Sequence, residues 1–277
     1  MKNLLQRRRL LTLLACMPAA LRVASASEAP VLRVGVVPQF DSRTTFDIWT
    51  PILTNLEALT GLRFQLVGSP NIPEFEKRVG QEEFDFAYLN PYQGLVAADS
   101  YLPLVRDIAT PLEGIAVVRQ DSPIQDLHGL QGKAMDFPAP NALAASLMIR
   151  AQLDQAGVKV RVRYVKTHTS VYLNVALGQA DAGGGVVQTL EDQPEAVRKQ
   201  LKVIFRTVGV ASHPVIASKR LSRAVREQVR AAFIAMGETS AGRALLLRVP
   251  FDRIGRATSD DYLPLRHMGL EKYYVPN

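Results

Sequence analysis

The chain holds one cysteine in 277 residues, Cys16, so it cannot close a disulfide within itself or run paired-thiol chemistry. Its four histidines (His128, His168, His213 and His267) are scattered, and none has a second ligand at metal spacing. There is no Gly-x-Ser-x-Gly elbow and no His-Glu-x-x-His pair. There is no phosphate-cradling Walker loop either, because the stretch from Gly129 to Lys133 is too short for one. These absences remove the commonest hydrolase, metalloprotease and nucleotide-binding readings. No metal or cofactor is expected.

Strong net charge is also missing once the first 26 residues are set aside. "MKNLLQRRRLLTLLACMPAALRVASA" places Lys2 and Arg7 to Arg9 ahead of an apolar run from Leu10 to Leu21, then Ala24-Ser25-Ala26. That order reads as an export signal. The apolar run is shorter than the roughly 20 residues a membrane span needs. Arg7 to Leu11 resembles a twin-arginine signal, with ordinary secretion as the alternative. The segment carries five of the 33 basic residues and none of the 26 acidic ones, so the remainder has a net charge of +2. The basic balance of the whole chain therefore reports the signal and does not argue for nucleic acid. Cleavage after Ala26 also removes Cys16. "LLAC" at 13–16 offers a rival lipid-attachment reading, but the Ala24-Ser25-Ala26 site favours a soluble periplasmic product.

What is present is an alternation of strands and helices. "VLRVGVVPQF" (31–40), "FQLVG" (64–68) and "FDFAYL" (84–89) read as strands. Between the first two, Phe46, Trp49, Leu53, Leu56 and Leu59 recur at helical spacing, and Gly61 sits at the C-terminal cap. Asn71 stands near the start of a short helix, and Asn90-Pro91 opens another. Further on, 114–137 reads as strand, turn, strand. Residues 138–157 read as a helix capped by Asn141 and stopped by Gly157. "VRVRYVKT" is a strand, and Thr169 or Ser170 caps the helix after it. "ADAGGGVV", "LKVIFRTVG" and "HPVIASK" are strands, and 222–239 is an amphipathic helix. Such alternation implies parallel α/β sheets covered by helices, and the length suits two lobes. "GQEEFDFAY" (80–88) and "GQADAGGG" (178–185) form a faint internal echo, one for each lobe.

Helix starts that follow strand ends are the feature most able to bind something. Each presents free backbone N–H groups and a positive dipole end, which suits an anion. Ser42 to Thr45, Asn71, Asn90, Asn141 and Thr169 mark five such starts.

The segments "VGVVPQ", "WTPILTNLEALTG", "FDFAYLNPY", "VVRQDSPIQDLHGLQGK", "THTSVYLNVALGQADAGG" and "PVIASKRLS", in that order from about Leu32 to Leu265, resemble the periplasmic solute-binding proteins for phosphonate, phosphite and phosphate that serve ABC importers. The resemblance implies a two-lobed type II periplasmic binding protein of α/β class, each lobe a mostly parallel sheet with flanking helices. It implies a signal peptide at 1–26, lobe one at 27–113 plus 214–277, and lobe two at 114–213. The lobes would be joined by crossings near Gly114 and near Ala211 to Pro214 and would close on a ligand by hinge motion.

The ligand-binding set that the resemblance implies is Gln39, Phe40, Tyr88, Asn90, Asn141, Ala142, Leu143, Thr167, His168 and Gln188, with no catalytic residue. The match is partial. Ala142, Leu143 and Ala144 stand where the family has small hydroxyl residues, and Val186 to Gln188 stand where it has an acid. Ile72 and the region around Leu112 replace tyrosines. Each lost charge-assisted bond weakens binding by roughly 1.5–3 kcal/mol. The expected ligand is therefore a monoanion or a less polar small molecule, held by backbone N–H groups, Asn141 and His168. His168 either points a donor at it or caps its own helix. The implied partner is an ABC permease in the inner membrane. The alternatives are a sensor module for a membrane receptor kinase and, from a third class, a hydrolase.

Overall fold

The computed structural model describes residues 30–276; the export segment and Cys16 lie outside them. Two sheets organise the chain. The first contains β1 (Val31–Val36), β2 (Arg63–Val67), β3 (Phe86–Tyr88), β4 (Tyr101–Asp107), β10 (Val215–Ser218) and β11 (Ile254–Arg256), in the order β11-β4-β10-β3-β1-β2. The second contains β5 (Gly114–Arg119), β6 (Ala134–Phe137), β7 (Arg161–Tyr164), β8 (Ala182–Val186) and β9 (Leu201–Arg206), in the order β7-β6-β8-β5-β9. Both are mixed. β1 runs parallel to β2 and β3, and β6 runs parallel to β7 and β8. β10 and β5, each the first strand after a crossing between sheets, run antiparallel to their neighbours.

In the first sheet, α1 (Ser42–Thr60) starts where the Asp41 carboxylate accepts the Thr44 N–H and stops at Gly61, which has φ +69°. Thr45, Trp49, Ile52, Leu53 and Leu56 form its buried face. Phe46 and Leu59, expected on that face, are exposed. A 3.6-residue period carries the stripe through 45, 49, 52, 53 and 56 and turns 46 and 59 outward. Asn71 caps α2 (Ile72–Gly80), and Asn90 caps α3 (Pro91–Val96) with its Oδ1 2.9 Å from the Gln93 N–H. α8 (Arg223–Glu238) and α9 (Ser240–Leu246) complete the cover. β4, unread in the sequence, holds Pro103, which ordinarily argues against a strand. Its pairing with β10 shifts register between Val215 and Ile216, so Pro103 sits at an irregularity.

In the second sheet, α4 (Ile149–Gln155) is preceded by a continuous π-helical stretch, Leu143–Met148. α5 (His168–Ala176) is capped by Thr167, whose hydroxyl accepts the Ser170 N–H at 3.0 Å. The cap thus falls two residues before the expected Thr169. α6 (Val187–Glu191) and α7 (Glu195–Arg198) are short.

The internal echo has a structural counterpart. The Asp85 N–H donates to the Arg33 carbonyl, and its carboxylate accepts the Arg33 N–H at 2.8 Å. The Asp181 N–H donates to the Ala134 carbonyl, and its carboxylate accepts the Ala134 N–H, also at 2.8 Å. Each aspartate ties the entry of one strand to the parallel strand beside it.

The chain passes between the sheets at 108–113 and returns at 207–214. The two passages pair with each other: Leu112 N–H donates to Val210 O at 2.8 Å, and Val210 N–H donates to Leu112 O at 3.0 Å. A third link comes from the C-terminal end, which belongs to neither sheet and reaches residues of the second. Tyr273 OH donates to Asp154 Oδ2 at 2.6 Å, Lys272 pairs with the same carboxylate, and the Arg150 guanidinium lies over the Tyr273 ring.

Candidate functional site

The cleft between the sheets narrows to an inner cavity of about 20 Å³. Gln39, Ile72 and Asn90 face it from the first sheet's elements, and Ala142 to Ala145, His168 and Val186 face it from the second's. His213, on the returning passage, completes it. No lysine, arginine, aspartate or glutamate lines this cavity among the described residues. A larger chamber of about 420 Å³ shares Val186 and His213 with it and is bordered by Tyr88, Gln188, Asp107, Glu113, Glu191 and Asp252.

Backbone groups dominate the second-sheet wall. The first intrahelical bonds of the 143–155 helix run from Ser146 and Leu147 to the Ala142 carbonyl, at 2.8 and 3.1 Å. The N–H groups of Leu143, Ala144 and Ala145 precede those bonds and carry the positive end of the helix dipole into the cavity wall. The triple glycine of β8 permits this approach. A Cβ on Gly184 would stand 2.2 Å from the Ala145 carbonyl oxygen, and one on Gly185 would stand 2.2 Å from the Tyr172 hydroxyl. The glycines therefore seat helices against the strand from both faces.

His168 is the first residue of α5 and is 3% exposed. Its Nδ1 lies 3.1 Å from Thr189 Oγ1, which fixes the ring and leaves Nε2 as the nitrogen without a protein partner among the described residues. Burial pushes its pKa down to about 4, so the ring is neutral near pH 7. The His213 ring stacks on Tyr88 at 5.5 Å, and its Nε2 lies 3.3 Å from Gln39 Nε2. Burial, with a smaller contribution from His168, pushes the His213 pKa down to about 3.

The ten residues implied by the resemblance separate into groups. Gln39, Asn90, Ala142, Leu143 and His168 meet at the inner cavity. Tyr88 and Gln188 border the outer chamber, and Phe40 lines a recess beside Gln39 and Tyr88. Thr167 acts as a cap. Asn141 departs from its expected role in two ways. It does not cap its helix, whose preceding residue Ala142 makes no side-chain cap bond. Its side chain is also committed elsewhere: Nδ2 donates to Glu76 Oε2 and to Val275 O, and Oδ1 accepts the Val275 N–H, all at 2.8 Å. The Asn90 amide donates to the Asn141 carbonyl at 3.3 Å. The pair thus ties the two sides of the cleft together. His213, absent from the implied set, lies in the returning crossing segment.

The profile of the family described as "ABC transporter, phosphonate, periplasmic substrate-binding protein" matches residues 34–262. The phosphonates-binding periplasmic protein of Escherichia coli is 24% identical over 263 residues, covering 87% of this chain and 76% of that protein. Two solved structures share the fold at a TM-score of 0.80. One is a binding protein component of an ABC phosphonate transporter from Pseudomonas aeruginosa, 20% identical, covering 88% of this chain and 87% of that one. The other, from Prochlorococcus marinus in complex with methylphosphonate, is 16% identical and covers 88% and 99%. With two sheets facing one cleft and the profile match spanning most of its length, the chain belongs to the family of phosphonate periplasmic substrate-binding proteins of ABC transporters.

Proposed function

We propose that this protein is exported through residues 1–26, captures a small phosphonate-class oxyanion in the inter-sheet cleft and delivers it to a membrane permease without chemical change. The working halves are 27–113 with 214–277, and 114–213. The observation that carries the reading is the inner cavity: three helix-start amides and two neutral imidazoles converge on it, with no fixed charge in its lining. Such groups offer hydrogen bonds to oxygen. The relatives named above supply the ligand class. The absence of lysine and arginine from the lining favours a singly charged form, because a buried dianion needs charged donors.

A volume of about 20 Å³ holds roughly one water. A tetrahedral oxyanion therefore enters only when the cleft widens. Thermal-shift measurements on the mature protein with methylphosphonate, phosphite, phosphate and aminoalkylphosphonates test this reading. A ligand at a hundred times its Kd raises stability by about 2.7 kcal/mol. A melting temperature unmoved by all of them at millimolar concentration would refute the assignment.

A further inference from the structure

His213 has no role in the resemblance, yet it is the side chain that borders both the inner cavity and the outer chamber from the crossing segment. We propose that His213 is a ligand-gripping residue that pairs with His168 across the cleft, and that closing on an oxyanion draws a proton onto this pair. The proposal rests on the anion-binding reading above.

The two rings come from opposite sides of the cleft, His168 from the start of α5 and His213 from the passage that returns to the first sheet. An amide nitrogen has only hydrogens to offer, so His213 Nε2 accepts from Gln39 Nε2 and the neutral ring carries its proton on Nδ1. A half-turn of the Gln39 amide presents Oε1 in place of Nε2 and accommodates a protonated ring. Gln39 can thus satisfy His213 in either state.

The surrounding groups leave the charge to the guest. Tyr88 on β3 stacks on His213, and the Tyr262 hydroxyl donates to the Ser212 carbonyl at 3.1 Å. The Asp107 carboxylate, at the end of β4, accepts N–H bonds from Ala109, Thr110 and Arg253. Glu113, Glu191 and Asp252 border the outer chamber only, and Glu113 meets Arg206 at 3.5 Å. Around His168 stand the hydroxyls of Thr189 and Tyr172, with Asp192 beyond them. With no anion between them, burial disfavours a charge on either ring and a charged His168 adds repulsion at His213, consistent with the depressed pKa of each. An oxyanion between them reverses both effects. A site built this way grips harder as pH falls, which a lysine or arginine site does not do.

The test is titration calorimetry with methylphosphonate in two buffers of different ionisation enthalpy, near pH 7, on the wild-type mature protein and on His213→Gln and His168→Gln. The ligand's own proton is common to all three, so differences in proton count read the histidines. The expected result is that the wild type takes up more protons per ligand than His213→Gln, with an affinity that rises up to about tenfold per unit fall in pH where the excess reaches one proton. Because a variant can fail to fold, imidazole NMR titrations of the wild type with and without methylphosphonate give a second reading. There, the resonances of His168 and His213, and not those of His128 and His267, should titrate at higher pH when the ligand is bound. Equal proton counts in all three proteins, or imidazole titrations unmoved by bound ligand, overturn the proposal and leave the binding function standing. No heat from methylphosphonate, phosphite or phosphate between about pH 5 and 8 overturns both.

Discussion

β3 and β8 hold equivalent places in their sheets. Each follows an aspartate that ties it to a parallel neighbour, and each has an antiparallel strand on its other side. β3 carries Phe86 and Tyr88, whereas β8 is Ala-Gly-Gly-Gly-Val. The difference divides the labour of the site. The first half sends side chains into the cleft: Gln39, Ile72 and Asn90. The second half strips its strand of side chains, lets helices settle onto it, and presents backbone amides with one histidine. An apolar sequence such as Ala142-Leu143-Ala144 can therefore still face an oxyanion. The hydroxyls that the family has in place of Ala142, Leu143 and Ala144 would add donors to a wall that already has some.

The sharpest way to break this comparison is to give β8 a side chain. Gly184→Val would drive a Cβ into the Ala145 carbonyl, and we expect a loss of about 3 kcal/mol or more, measured by urea unfolding of the mature protein. A loss below about 1 kcal/mol would mean that the helix is not seated by the glycines.

The next test separates the two asparagines. Asn141→Ala removes three hydrogen bonds, one of them to a carboxylate, and should cost about 2 kcal/mol. Because those bonds tie the C-terminal end and α2 to the far side of the cleft, the variant should also show a larger radius of gyration by small-angle scattering in the absence of ligand. Asn90→Ala loses a cap worth about 1 kcal/mol, which a melting curve resolves, and one cross-cleft bond of 3.3 Å, so it should expand the ligand-free protein less than Asn141→Ala does. Equal expansion of both would erase the distinction drawn here.

The last test concerns acid. Both cleft histidines have folded pKa values below the ordinary 6.5, so below that pH the unfolded chain binds protons that the folded chain refuses. The stability from neutral rings is full above about pH 6.5, falls as pH drops toward 4 for His168 and toward 3 for His213, and changes no further below. The ligand-free protein should lose melting temperature across that window, and His213→Gln should flatten the decline. Methylphosphonate should oppose it.

Much of the fold was legible because it rests on local chemistry. Asn71, Asn90 and Gly61 act where short-range rules place them. What escaped was decided at a distance. Pro103 hid β4, since only its partner strand shows that the register shifts there. Asn141 looked like a cap until Glu76 and Val275 came within reach, and those lie 65 and 134 residues away in sequence. The site was half legible: His168 and the helix starts were readable from position. His213 was not, because its value comes from Gln39, 174 residues away, and from the Tyr88 ring.

The paired bonds between Leu112 and Val210 carry a mechanical consequence. Two independent tethers would let the halves twist as well as fold, but tethers laced together bend as one ribbon about one axis. A closure hinged on this ribbon would repeat one shape, whatever the guest. A transporter checking for a loaded carrier needs only to measure that shape, and the carrier could change its cargo over evolutionary time without renegotiating its dock.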